Sequence, residues 1–390
     1  MPKIIKNGYV YQNAARKFLP LDIMIENGKI TAISQRGELD NVKAEVIDAS
    51  NFRLMSGLID VHTHGIAGTD FLFADSKALK KMSQAYLLHG VTTVMPTLAS
   101  GELGQMIDAA KSINSFAIEQ DANNLKERQA SRFCGVHLEG RYLNPEKRGA
   151  HARELLVLPS VGELCEFADI GLKNLHISAA FELEGGKSFL SKAVELGATL
   201  SLGHTNATYS QATELEALGV TAYTHLFNAM PPLHHREGGA VAACLNGNAF
   251  GELICDGIHV AREIVELTYR IKRDKLTLIS DSMEATDCPD GEYSIAGNAV
   301  QVKGGIARTL DGALAGSTLT LDRALENLMC FCNIPLEDAI INATEAPAKE
   351  IGIFDECGSL DVGKRADILF IDSSCFKICS VMCGGELTAL

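Results

Sequence analysis

The sequence predicts an α/β fold, a (β/α)8 TIM-like barrel with a small β-sandwich domain built from both chain ends. In the middle of the chain, apolar strand-like runs alternate with helical stretches about every 20 to 45 residues, which is the spacing of βα units. The N-terminal part has strand patterns with no helices between them. The C-terminal tail is also strand-like, and its length of about 30 residues is too short for a core of its own.

The N-terminal segment is typical of short strands. KIIKNGYVY is followed by LDIMIENGKITAIS, in which Glu26-Asn27-Gly28 separates two arms of alternating hydrophobicity. An Asn-Gly pair in this setting indicates a tight β-hairpin. The simplest topology places the tail GSLDVGKRADILFIDSSCFKICSVMCGGEL in the same sheet as the N-terminal strands. We therefore predict a small domain of residues 1–55 and 352–390 and a barrel of residues 56–351.

Eight apolar runs are the predicted barrel strands. They are Leu58–Val61, Thr92–Pro96, Phe133–Leu138, Leu175–Ala179, Thr199–Gly203, Ala222–Leu226, Glu252–Cys255 and Leu276–Ser280. Intervening stretches such as SKALKKMSQAYLLHG have helical periodicity, and Gly197 and Gly219 are typical of helix stops. After the eighth run we predict a β-rich excursion and then two helical stretches, Leu319–Cys332 and Leu336–Ile351.

Polar residues of the types that bind metals follow most of these runs. They are His62 and His64 after the first run, His137 and Glu139 at the third, His204 after the fifth, His225 in the sixth, Asp256 and His259 after the seventh, and Asp281 after the eighth. Because the carboxyl ends of parallel barrel strands share one face, we expect these side chains to converge. Taken singly, each has a structural explanation, and Asp281 with Ser282 could be a helix N-cap.

Imidazoles and carboxylates without a thiolate suit zinc, iron or another divalent first-row metal with an open position. Such a site lowers the pKa of bound water and polarises a carbonyl group. A neighbouring carboxylate can accept a proton and pass it to a leaving group, and Asp281 is best placed for this. The residues therefore indicate hydrolysis of an amide-like bond.

Composition excludes several classes of partner. The formal net charge of −14 argues against sequence-independent binding to nucleic acid and to anionic membranes. We find no secretory signal pattern and no apolar run near the roughly 20 residues of a membrane span. The 11 cysteines are odd in number and mostly lie in apolar runs, which fits reduced thiols in a cytoplasmic protein. Cys375, Cys379 and Cys383 are interpreted as small apolar residues rather than a second metal site.

Nine sequence motifs resemble those of a known protein family. They are GLIDVHTHG, GVHLEG-x-YLNPEKRGAH, LGHTNAT, THLFNAMPPLHHRE, CDGIHV, ISDSM, PDGEY, LDGALAGSTLTLD and GSLDVGKRADILF. These motifs resemble those of the amidohydrolase superfamily and, within it, the N-acetylglucosamine-6-phosphate deacetylases, nearly end to end. The resemblance implies an enzyme of amino-sugar catabolism that hydrolyses N-acetylglucosamine 6-phosphate to glucosamine 6-phosphate and acetate.

The resemblance also implies roles for individual residues. The implied metal ligands are Glu139, His204, His225, His62, His64 and Asp281, which would hold one or two divalent ions, zinc or iron. Asp281 would be general base and then general acid, and His151 would polarise the acetyl carbonyl. The implied substrate-binding residues are Ala150, His151, Asn228, Ala229, Arg236, Asp256, His259, Leu314, Ala315 and Gly316. An arginine such as Arg236 can reach across from a neighbouring subunit in this family, so a homodimer is expected.

Departures from the family pattern keep alternatives open. Arg141 replaces the usual proline after HLEG, where a cation close to the metal could alter sugar preference or add a phosphate contact. Gly238 replaces another proline beside Arg236. Deacetylation of N-acetylgalactosamine 6-phosphate therefore stays open. Two weaker alternatives are a cyclic-amide hydrolase, disfavoured because Glu139 stands where those enzymes carry a carboxylated lysine, and a catalytically silent sugar-phosphate-binding protein. His89 and His176 are given no functional role.

Overall fold

The structure, a computed structural model, describes residues 1–122 and 129–390. The described strands are β1 (Lys3–Lys6), β2 (Tyr9–Gln12), β3 (Lys17–Glu26), β4 (Lys29–Gln35), β5 (Glu45–Asp48), β6 (Phe52–Ser56), β7 (Leu58–Thr63), β8 (Gly65–Ile66), β9 (Thr69–Asp70), β10 (Val91–Leu98), β11 (Arg132–Phe133), β12 (Val136–Glu139), β13 (Leu175–Ala179), β14 (Thr199–Leu202), β15 (Ala222–Tyr223), β16 (Phe250–Ile254), β17 (Leu276–Ile279), β18 (Gly291–Ile295), β19 (Asn298–Lys303), β20 (Ile306–Thr309), β21 (Ile368–Asp372), β22 (Ile378–Cys383) and β23 (Glu386–Ala389). The described α-helices are α1 (Ser76–Leu88), α2 (Leu103–Ala122), α3 (Val161–Ala168), α4 (Gly186–Glu195), α5 (Tyr209–Leu218), α6 (Gly239–Asn246), α7 (Arg262–Lys272), α8 (Leu321–Cys332), α9 (Leu336–Ala339) and α10 (Glu345–Glu350).

Both chain ends form one sheet. Its strand order is β23-β22-β21-β6-β2-β3-β1-β5, with β4 paired to β3, so β6 from the N-terminal part lies directly beside β21 from the C-terminal part. Apolar side chains of the sheet form a buried cluster that includes Ile5, Ile23, Leu54, Ile368 and Phe370. The placement of both ends in one small β domain is confirmed. The division of the chain at residues 55/56 and 351/352 stays a prediction.

The predicted hairpin is present between β3 and β4. Glu26 pairs with Lys29 across the turn, and Asn27 and Gly28 have φ values of 51° and 76°. Two consecutive left-handed residues are what a tight hairpin turn requires, and Asn and Gly adopt that conformation at low cost.

The central part of the chain is a parallel barrel, as predicted. Strands β7, β10, β12, β13, β14, β15, β16 and β17 pair in this order, and each overlaps one predicted run. The ring is completed between its first and last strands, because the backbone N–H of Asp281 donates to the His62 carbonyl at 2.9 Å. The hydroxyl of Ser280 also donates to the buried carboxylate of Asp60 at 2.6 Å. The polar residues that follow these strands therefore meet at one mouth.

Three predicted elements differ from the structure. The third run was predicted as one strand over Phe133–Leu138, but it is divided into β11 and β12. The sixth run was expected to continue to Leu226, but β15 ends at Tyr223 because the backbone turns left-handed at His225, whose φ is 31°. The expected helix Leu336–Ile351 is divided into α9, a 3-10 turn and α10. Its break lies at Thr344, with φ −134° and ψ −75°. Pro347 follows, and it has no N–H to continue a helical hydrogen-bond ladder.

The β-rich excursion forms a separate antiparallel sheet of β18, β19 and β20, as predicted. Its apolar side chains pack with Met283 and Ala315, and the backbones of Ser282 and Ser317 form a parallel bridge. The sheet is thereby fixed to the segment that follows the eighth barrel strand, and it brings Leu314 and Gly316 to the barrel mouth.

Candidate metal centre

A cavity of about 230 Å³ opens at the carboxyl ends of the barrel strands. Most of the residues with predicted roles lie on its wall. The lining residues are His64, Glu139, Gly149, Ala150, His151, His204, His225, Asn228, Ala229, Ile254, His259, Asp281, Ile295, Leu314 and Gly316.

Glu139, His204 and His225 form the first group of possible metal ligands in this cavity. The Nε2 atom of His225 lies 3.0 Å from Glu139 Oε1 and 3.0 Å from His204 Nε2. His204 Nε2 lies 3.3 Å from the same carboxylate oxygen. All three side chains are buried, and their donor atoms face one point.

His62, His64 and Asp281 form the second group. The Nε2 atoms of the two histidines are 3.4 Å apart, and His64 Nε2 lies 3.3 Å from Asp281 Oδ1. Glu139 connects the groups, because its Oε2 atom lies 2.9 Å from His64 Nε2 while its Oε1 atom faces His204 and His225.

These residues fit a divalent metal. A tetrahedral ion with bonds of about 2.0–2.1 Å holds its donor atoms about 3.3 Å apart. The donor atoms within the two groups lie 3.0–3.6 Å apart, and they are imidazole nitrogens and carboxylate oxygens. A bridging Glu139 would allow either one or two ions to be held.

Three of the six residues have left-handed backbones. The φ values of His204, His225 and Asp281 are 46°, 31° and 47°. Residues other than glycine rarely adopt this conformation, which costs about 1–2 kcal/mol per residue. Each lies just after its barrel strand, and the reversed backbone turns its side chain back over the mouth. Backbone hydrogen bonds to neighbouring segments hold this conformation at Asp281, whose N–H donates to the His62 carbonyl and whose carbonyl accepts from Ser317.

Neighbouring groups set the tautomers of two imidazoles. His204 Nδ1–H donates to the Lys147 carbonyl at 2.7 Å, which leaves the Nε2 lone pair directed into the cavity. His62 Nδ1–H donates to Glu252 at 2.9 Å with the same consequence. Such outer hydrogen bonds orient metal-binding histidines.

The charge states of the ligands follow from burial and from one another. Burial raises the pKa of Glu139, but His62 and the hydrogen bonds from His151, His204 and His225 outweigh it, so this pKa lies well below the ordinary value. Burial lowers the pKa of His204 to about 4, so its imidazole is neutral at pH 7. Burial also lowers the pKa of His64, but Asp281 and Glu139 outweigh it and raise the value to about 9. A metal ion bound by His64 must therefore displace a proton.

Comparisons with known proteins agree with this geometry. The model of the amidohydrolase family matches residues 53–388, which is most of the chain. The chain belongs to the amidohydrolase family. It is 34% identical over 352 residues to N-acetylglucosamine-6-phosphate deacetylase of Vibrio furnissii, with 89% of this chain and 86% of that protein covered.

Two further relatives of this amidohydrolase are informative. It is 32% identical over 353 residues to N-acetylgalactosamine-6-phosphate deacetylase of Escherichia coli O157:H7, with 90% of each chain covered. The crystal structure of N-acetylglucosamine-6-phosphate deacetylase from Pasteurella multocida superposes with a TM-score of 0.91 at 28% identity and covers 100% of both chains.

His151 lies beside the ligands of the amidohydrolase centre. Its Nε2 atom is 3.7 Å from Glu139 Oε2 and lies on the cavity side. The Ser100 hydroxyl lies 2.9 Å from His151 Nδ1, and the Ser100 backbone N–H donates to that nitrogen at 3.3 Å. An Nδ1 atom that accepts leaves the proton of a neutral imidazole on Nε2. Gly140 makes this approach possible, because a Cβ there would lie 2.4 Å from the Ser100 nitrogen.

Some of the predicted substrate-binding residues lie on the cavity wall and others do not. Ala150, Asn228, Ala229, His259, Leu314 and Gly316 line the cavity. Asp256 lies behind His259 instead, and its Oδ2 atom accepts from His259 Nδ1 at 2.6 Å. Ala315 is fully buried against the apolar side chains of the small antiparallel sheet, whereas its neighbours Leu314 and Gly316 line the cavity. Arg236 is exposed on a surface loop and does not line the cavity of its own chain.

The expectation that Arg141 places a cation at the metal is wrong. Its Nε and Nη2 atoms bind both oxygens of Glu163 at 3.1 and 3.2 Å, and Nη1 donates to the Gly101 carbonyl at 2.9 Å. The backbone of Arg141 has a φ of 65°, which turns the side chain away from the cavity. The guanidinium therefore connects the segment after β12 to Glu163 and to the Gly101 carbonyl.

Two residues of the amidohydrolase site were not predicted from the sequence. Ser100 contacts His151, and Glu252 contacts His62. Glu252 could have been found from the sequence, because a glutamate inside the apolar run GELIC indicates a buried polar role. No sequence pattern marks Ser100. His137 lies one layer below Glu139, where it bonds Ser178 and the Val61 carbonyl. Its pKa is well below the ordinary value because of burial and the nearby His176 and His62.

Proposed function

We propose that this amidohydrolase is a metal-dependent deacetylase that hydrolyses N-acetylglucosamine 6-phosphate to glucosamine 6-phosphate and acetate in amino-sugar catabolism. The observation that carries the proposal is the convergence of two ligand groups, joined by Glu139, on a cavity whose wall also includes His259 and Asn228. The names of the most similar relatives support the same substrate class.

The centre would hold one or two divalent ions, zinc or iron. Glu139, His204 and His225 would bind one ion, and His62 and His64 with Asp281 would help to bind a second. A metal bound by these residues would activate water and polarise the acetyl carbonyl.

Asp281 and His151 would take part in proton transfer. Asp281 directs its Oδ1 atom towards His64 and keeps a low pKa because, against its burial, His64 and His62 stabilise the carboxylate. It would accept a proton from water and pass it to the departing amine. His151 would donate from Nε2 to the carbonyl oxygen, where negative charge develops.

The phosphate would bind to His259, Asn228 and the backbone N–H of Ala229, which all belong to residues lining the cavity. Asp256 accepts from His259 Nδ1 and so orients its ring. Arg236 would come from the partner chain of a homodimer, since its own cavity does not include it. A charge-assisted set of this kind suits a dianion.

We propose the cytoplasm as the compartment. Within residues 1–122 and 129–390, the ten cysteines other than Cys383 are free thiols. Among the helices of residues 1–122 and 129–390, none combines the length and apolar character needed to cross a membrane.

N-acetylgalactosamine 6-phosphate is the second candidate substrate. It is favoured by the 32% identity to the Escherichia coli O157:H7 N-acetylgalactosamine-6-phosphate deacetylase. The two sugars differ only in the stereochemistry of one hydroxyl, and one hydrogen bond to a buried group can discriminate between such substrates by orders of magnitude.

Steady-state acetate release from both sugar phosphates tests the proposal, with the bound metal quantified in the same preparation. We expect the glucosamine substrate to have the larger kcat/KM. A larger value for the galactosamine substrate would transfer the assignment to it. Activity on hydantoin or dihydroorotate alone would indicate the cyclic-amide hydrolase. Sugar-phosphate binding without divalent metal or turnover would indicate the silent binding protein.

A further inference from the structure

Glu252 is a carboxylate in the middle of a buried barrel strand. It lies on β16 within the apolar sequence FGELI, and it is fully buried. Burial of an ionised carboxylate is costly unless hydrogen bonds compensate it. The contacts of Glu252 therefore indicate what it is for.

One oxygen of Glu252 contacts two of the proposed ligand residues. His62 Nδ1–H donates to Oε2 at 2.9 Å, and the backbone N–H of His225 donates to the same oxygen at 3.3 Å. The side-chain bond is the stronger of the two by distance. It leaves the His62 Nε2 lone pair on the opposite side of the ring, directed towards His64 and Glu139.

The other oxygen of Glu252 faces the barrel interior. Oε1 lies 3.6 Å from His176 Nε2, and neither it nor Glu350 Oε1 has a hydrogen-bond partner among the described residues. His176, Glu252 and Glu350 place their ligand-type atoms within 4.8 Å of one another. Glu252 therefore connects this deeper polar layer to the cavity above.

We propose that Glu252 is a positioning residue for His62, which it holds in the Nδ1–H tautomer so that Nε2 can bind the metal shared with His64. The inference rests on the proposed metal centre but not on the proposed substrate. Without an acceptor at position 252, His62 would bury an unpaired N–H or shift its proton to Nε2, and a protonated Nε2 cannot bind a metal.

The test compares zinc binding by the full chain and by three variants, using competition against a chelator. Glu252→Met removes the acceptor at similar length, Glu252→Gln keeps an acceptor oxygen, and Glu350→Met makes the matched change in the same layer away from the ligands. We expect Glu252→Met to weaken one of two zinc equivalents by about 10- to 100-fold and the other by less than about threefold. Glu252→Gln and Glu350→Met should keep both affinities within about threefold of the parent chain.

Other results would overturn the inference. Equal weakening of both equivalents in Glu252→Met would indicate a general structural role, and unchanged affinities would indicate no role. Glu252→Gln as weak as Glu252→Met would assign the effect to charge rather than to the hydrogen bond. A third zinc equivalent lost in both Glu252→Met and Glu350→Met would make Glu252 a ligand itself.

A second measurement needs no change at Glu252. In zinc-loaded protein with ¹⁵N-labelled histidine, the His62 signals, assigned with a His62→Gln variant, should show the proton on Nδ1. A proton on Nε2 would contradict the inference. Neither measurement uses a sugar, so a protein that binds zinc as expected yet releases no acetate would refute the proposed substrate and leave this inference intact.

Discussion

The barrel mouth differs from the small β domain built from both chain ends, called the sandwich here, in which residues have left-handed backbones and which side chains are buried. In the mouth, His204, His225 and Asp281 combine left-handed backbones with buried polar side chains. In the sandwich, the described left-handed residues other than glycine are Asn7, Arg16 and Asn27, and none of them is buried. Two of the three are asparagines, which adopt this conformation at low cost. The mouth therefore places left-handed backbones on buried polar residues, and the sandwich does not.

The difference shows where this chain gives up stability. The sandwich cluster is aliphatic and aromatic, as in Ile23, Leu54 and Phe370. The mouth instead buries Glu139 and Asp281 among imidazoles. Strain and buried charge concentrate at functional sites because the surrounding structure can hold them there. Substitutions in the mouth should therefore affect chemistry first, and those in the sandwich should affect stability first.

Asp281→Asn should give the largest effect. An amide cannot accept the proton from water, so we expect kcat to fall about 10³-fold or more, equivalent to about 4 kcal/mol. The zinc held by Glu139, His204 and His225 and the unfolding midpoint should stay near those of the parent. Acetate release and metal analysis measure both quantities, and Asp311→Asn, on an exposed turn, is the control. Retained turnover would remove Asp281 as the base.

Leu54→Ala should give the opposite pattern in the sandwich. Leu54 is fully buried, and loss of its side chain leaves a cavity in the apolar cluster of this domain. We expect the free energy of unfolding in urea to fall by about 2–5 kcal/mol, with kcat per folded molecule unchanged. A fall in kcat larger than twofold at full folding would show that the two regions are coupled.

His89→Gln should change how stability depends on pH. His89 Nε2 lies 2.8 Å from Asp287, on the segment that follows Asp281, and Nδ1 lies 3.4 Å from Asp322. Burial lowers the pKa of His89, but these carboxylates outweigh it and raise the value from 6.5 to about 9. The stabilisation is therefore complete below pH 6.5 and is lost as pH rises through 9. We expect the parent to lose about 1–3 kcal/mol more than the variant between pH 6 and 10 in urea titrations. Parallel plots of the free energy of unfolding against pH for the parent and the variant would contradict this prediction.

Glycine substitutions should give the smallest effects, and they should have opposite signs. Ala229 has a φ of 50°, so Ala229→Gly should relieve strain and raise the free energy of unfolding by about 0.5–1 kcal/mol. Ala366 is fully buried in the sandwich cluster, so Ala366→Gly should lower it by about 1 kcal/mol. Thermal unfolding measures both. The same sign at both positions would remove strain as the distinguishing feature of the mouth.

Much of the fold could be predicted because it depends on local patterns. Alternating apolar runs identified the barrel strands, and the Asn27-Gly28 pair identified a hairpin that the structure contains. The helix over 336–351 was predicted as continuous because its periodicity persists, although Pro347 signals the break. The convergence of Glu139, His204 and His225 followed from the rule that parallel strands end at one face.

The sequence by itself determined which residue types stand at the strand ends, and therefore that an amidohydrolase centre is expected there. Only the tertiary structure decided where those side chains point. Arg141 follows the ligand Glu139 by two positions, yet its guanidinium binds Glu163 instead of facing the cavity. Glu252 is 190 residues from His62, and Ser100 is 51 residues from His151, so no local pattern connects either pair. Hydrogen-bond direction and backbone handedness are fixed by packing between distant segments, which the one-dimensional pattern does not contain.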